Sequence, residues 1–326
     1  MNDAIGPNMT SASTGVIFAT TGADYNILAR RAARTLRLCM PDVAIDWFTD
    51  DASQRDHVFD TVHILSDSFF RPKMEALQRS RFDRTLFLDA DILVLSDINE
   101  LFIALEDFDL LAAHAEKGMI GEAPPGEPPR CLSPLNSGVL AIKKSALMKD
   151  FLIKWEMEVR DKLERRDQPA LRRTLMRSRL RFSVLGAEYN MMKHSNLENW
   201  GRRLGVPRII HSPQLHKTTP GNPEEPFQLE EALTPELSRY VRKLIELDQS
   251  QENVSGIVIL SPRQKLNRRL SRQASEIKRL KAENEKITKE NDRLLIEKNS
   301  KFRKVVARML RFAGRQLRKI MNARRE

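Results

Sequence analysis

The chain has 326 residues, 41% of them hydrophobic, and a formal net charge of +11; a globular fold with accessory segments fits that size and apolar content. Residues 301–326 hold ten Lys/Arg against one Glu, residues 263–300 hold twelve Lys/Arg against six Asp/Glu, and the 262 residues before them carry a net −4. The basic character therefore belongs to a C-terminal appendage suited to an anionic surface, which argues against a main body built to bind polyanions.

Two cysteines, Cys39 and Cys131, make no disulfide framework. The polar opening MNDAIGPNMTSASTG lacks the basic and apolar regions of a signal peptide. No apolar run approaches the ~20 residues that cross a bilayer. The expectation is a cytoplasmic protein.

In chain order, residues 1–14 read as a disordered leader. VIFAT, Val16 to Thr20, reads as a strand, followed after Thr21-Gly22 by an amphipathic helix from about Tyr25 to Cys39 with arginines on its polar face. VAIDWFTD (43–50) and TVHILS (61–66) read as further strands, and PKMEALQRS opens a helix with Pro72 in its first turn. TLFLDADILVL then breaks a buried strand pattern with Asp89 and Asp91. Burying unpaired carboxylates is costly, so a charge must answer them, and a divalent cation is the natural candidate. Strands alternating with helices predict an α/β fold with a mostly parallel sheet, whose ligands gather at the carboxyl ends of the strands. Asp89 and Asp91 follow such a strand.

Glu122 to Cys131, with four prolines, reads as a loop. In LNSGVLAIKKS (135–145), Asn136-Ser137-Gly138 reads as a turn ahead of a strand. A charged helix is predicted over Ala146 to about Glu164, a second after Asp167-Gln168-Pro169, and short strands in RFSVL (181–185) and RIIHS (208–212). The body ends near Leu247, and 249–264 reads as a linker. From 265 to 300 the pattern becomes heptads: Leu266, Leu280, Ile287 and Leu294 fall on d, with Gln273 the exception, and Leu270, Ile277, Asn284 and Asn291 fall on a. Asparagine at a fixes register, so this segment predicts a coiled coil and a homodimer. Over 301–326, Phe302, Val306, Met309, Ala313, Leu317 and Ile320 recur at helical spacing among arginines. That is a basic amphipathic helix, which predicts contact with an anionic inner leaflet.

The motifs VIFATTGADY, RPKMEAL, RTLFLDADILVLSDINELF, LNSGVLAIKKS, DQPAL, LGAEYN and HSPQLHK stand in an order that resembles the GT-A glycosyltransferases. Within them the chain is most similar to family 8, the glycogenin-like and lipopolysaccharide galactosyltransferase-like group, over Gly15 to Lys217. The resemblance implies a GT-A domain over 15–248 and a Rossmann-like, mostly parallel mixed sheet. It also implies transfer of a hexose from a UDP-sugar to a glycan or lipid-linked acceptor, with retention of anomeric configuration. Asp89, Asp91 and His211 would hold Mn²⁺ or Mg²⁺, hard cations that prefer oxygen, Mn²⁺ also accepting an imidazole. Thr20, Thr21 and Tyr25 would meet the nucleoside, Lys73, Asp89, Ala90 and Lys217 the donor, and Asn136 and Ser137 sugar hydroxyls. Asp167 and Gln168 would lie beside the anomeric carbon as the catalytic pair. The chain departs from the pattern at Gln214, where the family has Gly, and no Pro-Trp follows Lys217. His216 is a further candidate in that loop.

Plainer roles compete for several of these positions. Asp89 and Asp91 would serve as solvated strand-end carboxylates, His211 as a structural histidine, Tyr25 as helix packing and Asp167 as an N-cap. A different function class competes for the whole chain. A basic stretch, Arg263 to Arg272, leads into the heptads, as in a nucleic-acid-binding zipper, which would leave an inactive GT-A domain as a scaffold. The charge, however, is densest after the heptads, and the Asp-x-Asp and His positions are intact.

Overall fold

The computed structural model describes residues 13–323 except 52, 54, 67–68, 116–125, 162–165, 201–204 and 250–260. The chain divides into two compact units, Met1–Pro262 and Arg263–Glu326. The first unit runs β1 (Thr14–Thr20), α1 (Ala23–Cys39), β2 (Ile45–Thr49), β3 (Thr61–Ile64), α2 (Pro72–Arg79), β4 (Arg84–Leu88), β5 (Ile92–Val94), α3 (Glu100–Ala104), β6 (Leu110–His114), β7 (Leu135–Lys143), α4 (Ala146–Asp161), α5 (Gln168–Arg177), β8 (Phe182–Leu185), β9 (Ile209–His211), α6 (Leu229–Ala232) and α7 (Pro235–Gln249). The second is one helix, α8 (Pro262–Ala323).

Seven strands form one sheet in the order β3-β2-β1-β4-β7-β6-β8, and only β7 runs against the others. This is the α/β, mostly parallel mixed sheet expected. Its strands are buried on both faces, and alternate side chains feed two cores. Val16 and Phe18, Leu86 and Leu88, and Val139 and Ala141 join α1 and α7 on one side. Ile17, Phe87, Leu140 and Ile142 join α2, α4 and α5 on the other. Strand order reverses at the central pair β1–β4, and that switch point is where a ligand crevice opens at the strand ends.

The structure changes several expectations. Asn136-Ser137-Gly138 is not a turn: it lies inside β7, just beyond the end of the β4 register and in a register shift of the β6 ladder. The turn-forming residues serve other ends. Asn136 Oδ1 accepts from Gly138 N at 2.8 Å, and Gly138 has no positive φ. Its missing side chain makes room instead, since a Cβ there would stand 2.6 Å from Asp89 Oδ2 and overlap the His211 ring.

The arginines on the polar face of α1 meet other parts of the chain. Arg31 is buried and donates to Glu231 (2.8 and 2.9 Å), Pro220 O (2.9 Å) and Glu225 O (3.1 Å). Arg30 and Arg34 reach Asp56 and Glu224. The guanidinium fork satisfies several loop carbonyls at once, so this helix face docks a loop rather than water.

The apolar run after Asp91 also leaves the main sheet. It becomes β5, pairing antiparallel with β9 so that Ile92 lies opposite His211. Residues 1–12, Glu122 to Pro125, Lys162 to Arg165 and 250–260 lie outside the described residues. Most of the expected leader, much of the linker, the start of the proline loop and the last turn of the charged helix fall there. The last two residues of the expected leader, 1–14, are ordered: Ser13 is fixed by Asp83 through N and Oγ, both at 2.9 Å, and Thr14 opens β1.

Candidate active site

The β4–β7 ladder, the β5–β9 ladder and the start of α5 bring distant residues together. Asp89 follows β4, and its N–H donates to Gly138 O on β7 at 2.8 Å. Two residues on, Asp91 enters β5, and the β9 register sets His211 beside it, Nε2 to Oδ1 3.1 Å. His216 Nδ1 meets the other Asp91 oxygen at 2.9 Å. One ligand atom each from Asp89, Asp91 and His211 lie within 4.8 Å of one another. Among the described residues no other group of His, Cys, Asp and Glu gathers in this way.

A hydrogen-bond chain fixes which nitrogen His211 presents. The Gly138 N–H can only donate, so its partner on Asn136 is Oδ1. Asn136 Oδ1 therefore receives Asn190 Nδ2 at 2.7 Å. That leaves Asn190 Oδ1 to accept from His211 Nδ1 at 2.8 Å. With the proton on Nδ1, the Nε2 lone pair of neutral His211 faces the two aspartates, as in ligating histidines oriented from behind. The donor set of two carboxylates and one imidazole fits Mn²⁺ or Mg²⁺. The room left by Gly138 fits it too.

Lys73, from α2, forms the other half. Its buried Nζ lies 3.1 Å from Asp89 Oδ1 and 3.5 Å from Asp167 Oδ2. It also donates to Ser137 Oγ at 3.1 Å and Ser137 O at 3.2 Å. Ser137 Oγ donates to Asp167 Oδ2 at 2.7 Å. Asp167 caps nothing with its side chain, although it stands at the N-terminus of α5. Its carboxylate is turned toward the site, while its carbonyl accepts from Trp155 Nε1 at 3.0 Å.

These environments split the carboxylates. Burial, helped by repulsion from Asp91 and Asp167, pushes Asp89 up in spite of Lys73 and His211. Burial also works against Asp91, but His211 and His216 hold it well below the usual range. Asp167 is held down in spite of burial by Lys73, Ser137 and Arg71. Lys73 and His211 are raised: burial opposes their charge, and the facing aspartates overcome it. Asp89 and Asp167 thus share one buried lysine and Asp91 is met by two imidazoles, a concentration of carboxylates that favours a cation.

A cleft of about 800 Å³ opens on this cluster, lined by Lys73, Asp89, Asn136, Ser137, Asp167, Gln168, His216 and Lys217 among others. Eight of the residues singled out in the sequence therefore share one cavity. Asp91, Ala90 and His211 do not line it, although Asp91 and His211 join Asp89, which does. Thr20 does not face it: the side chain is buried, accepting from Trp47 Nε1 at 2.8 Å and donating to Asn26 Oδ1 at 2.7 Å. Thr21 does not line it either, and Tyr25 stands exposed with its ring 6.2 Å from that of His216.

Two contributors escaped the sequence reading. Asn190 closes the LGAEYN motif, and that was its one signal. Arg71 precedes Pro72-Lys73 and lines the cleft; its Nε makes no hydrogen bond and lies 4.0 Å from Asp167 Oδ1.

No protein-family model matches the chain, and no curated protein matches it. Among solved structures it is similar to the glycosyltransferase GlyE of Streptococcus pneumoniae TIGR4, at 19% identity and TM-score 0.47 over 76% of this chain and 67% of that one. It is similar to the galactosyltransferase LgtC in complex with donor and acceptor sugar analogues, at 17% and 0.47 over 72% and 95%. A third is mouse xyloside xylosyltransferase 1 in its apo form, at 17% and 0.42 over 61% and 97%. With TM-scores below 0.5, these likenesses leave the function to be argued from the site.

Proposed function

We propose that the protein is a metal-dependent glycosyltransferase that moves a hexose from a nucleotide-diphosphate sugar, UDP-sugars foremost, to a glycan or lipid-linked acceptor. The observation that carries this reading is the meeting of Asp89, Asp91 and His211 at the wall of a cleft whose other lining groups are Lys73, Asn136, Ser137, Asp167 and Lys217. A strand-end pair of solvated carboxylates would need neither an oriented histidine nor a glycine kept clear of both.

Asp89, Asp91 and His211 Nε2 would hold Mn²⁺ or Mg²⁺, which when bound neutralises the charge a departing diphosphate develops. Lys217 and His216, on the rim, offer cationic and donor groups to the same phosphates. Asn136 and Ser137 are placed to bond sugar hydroxyls, and Arg71 Nε has a donor to spare beside them. Asp167 stays ionised and engaged by Ser137 and Lys73. It suits holding the sugar ring and developing positive charge, with Gln168 next to it, better than giving up a proton. Among the described residues that line the cleft, Asp89 and Asp167 are engaged by Lys73 and Glu127 by Arg173, so none of them stands as a free nucleophile. Departure and attack on one face of the sugar, retaining configuration, is the course that requires none.

Calorimetric titration of UDP tests the reading, with Mn²⁺ and with chelator, on the wild type and on D89N/D91N. Tight binding that needs both the metal and the aspartates is expected. Failure of UDP and other nucleoside diphosphates to bind under any metal condition would remove the reading's basis.

A further inference from the structure

α8 is a single helix of 62 residues, and in proteins most helical stability comes from packing an apolar face against a partner. Leu266, Leu270, Ile277, Leu280, Ile287 and Leu294 lie along it at a and d spacing, and each is more than half exposed. Nothing within the described chain covers this stripe. It ends where Lys298 and Lys301 take the next a and d positions, so the seam has a defined length.

The flanking charges say what covers it and in which direction. Counting from Leu270 at a, the g positions of four successive heptads are Glu276, Glu283, Glu290 and Glu297, while the e positions from Ala274 onward are Ala274, Lys281, Thr288 and Leu295. In an antiparallel pair g faces g, which would set glutamates against glutamates. In a parallel pair g faces e of the partner's next heptad, so Glu276 meets Lys281 and no acid meets an acid. Arg279 and Lys301 pair with Glu276 and Glu297 on the same chain, but such exposed pairs contribute little and do not erase the contrast. Asn284 and Asn291 add a second constraint. Their amides satisfy each other only if each faces its own copy, which requires parallel strands in register. Antiparallel packing would set them against apolar d residues.

We propose that α8 is the site of a parallel, in-register homodimer, with Asn284 and Asn291 paired across its seam. The occupant of the apolar stripe is a second copy of this chain. Both copies then deliver their basic 301–326 segments to the same end of the coil, where two tails can meet one anionic surface together. This inference is independent of the nucleotide-sugar reading.

Sedimentation equilibrium of the full-length chain, carrying C131S to remove an exposed thiol, tests association; a mass twice that of one chain is expected. Orientation is read by oxidising L270C in the same background. A parallel dimer cross-links 270 to its own copy. In an antiparallel one, position 270 faces the neighbourhood of 294, and cross-links form only when L270C is mixed with L294C. A monomer at micromolar concentration, or that second cross-linking pattern, would overturn the proposal. N284I/N291I is expected to keep the helix but to spread the mass beyond the dimer. An unchanged single dimer would remove the asparagines from the account.

Discussion

Asn190 does not line the cleft, yet the orientation of His211 rests on it. Replacing it with alanine leaves His211 Nδ1 without its acceptor and the imidazole able to turn or change tautomer. In N190A the affinity for Mn²⁺, followed by calorimetry, is expected to fall about 10–100-fold with the fold retained, the range seen when a partner behind a ligating histidine is lost. Gly138 offers a sharper test. Alanine there would place a Cβ 2.6 Å from Asp89 Oδ2 and into the His211 ring. G138A is therefore expected to abolish Mn²⁺ binding, while its circular dichroism stays that of the wild type. The aspartate pair was legible in the sequence because charge inside an apolar run is conspicuous. Asn190 was not, because it matters only once Met191 and His211 share a backbone bond.

α1 was legible as an amphipathic helix, but not as a clamp. Its arginines marked a polar face, and a helical pattern shows polarity without showing what lies opposite. Opposite them is the segment 220–231, which follows Lys217 directly. Gly221 has φ +82°, and a Cβ there would stand 2.5 Å from Arg31 Nη1, so the close approach depends on that glycine. Arg31→Met would strand Glu231 and two loop carbonyls. It is expected to cost about 2–3 kcal/mol in chemical denaturation. It should also weaken UDP–metal binding in the folded protein, because Lys217 hangs from the same loop. Unchanged binding would place that loop outside the site. β7 carries the same lesson. Asn-Ser-Gly favours turns, but here it sits in an irregular stretch of β7 between residues paired to β6, where Asn136 accepts two hydrogen bonds and Gly138 leaves clearance.

Across the whole chain the charges separate, with a body of net −4 and 301–326 at +9. No described helix is long and apolar enough to cross a membrane. We propose that the terminal segment rests on anionic lipid. Full-length protein is expected to float with phosphatidylserine vesicles and not with phosphatidylcholine alone, and to be released by salt. At about 1 kcal/mol per basic residue at the surface, replacing Arg303, Arg308, Arg311 and Arg315 with Gln would remove ~4 kcal/mol, close to three orders of magnitude in affinity. Equal flotation with neutral vesicles would count against it. Loss of binding to vesicles alongside salt-sensitive binding to nucleic acid would favour the rival reading of the tail.

Period and composition determined much by themselves. The 2.0 and 3.6 repeats placed the strands and helices, the heptads and lysine–arginine density marked out α8, and the order of short motifs picked out Asp89, Asp91, His211, Lys73 and Asp167. These signals are local, so a single chain carries them. What only the tertiary structure decided was adjacency. β5 leaves the main sheet to pair with β9, which sets His211 against Asp91. Lys73 joins Asp89 to Asp167, and Thr20 turns inward to Trp47, away from the cleft. Contacts between residues scores of positions apart depend on strand order and register, and no periodicity along the chain encodes those.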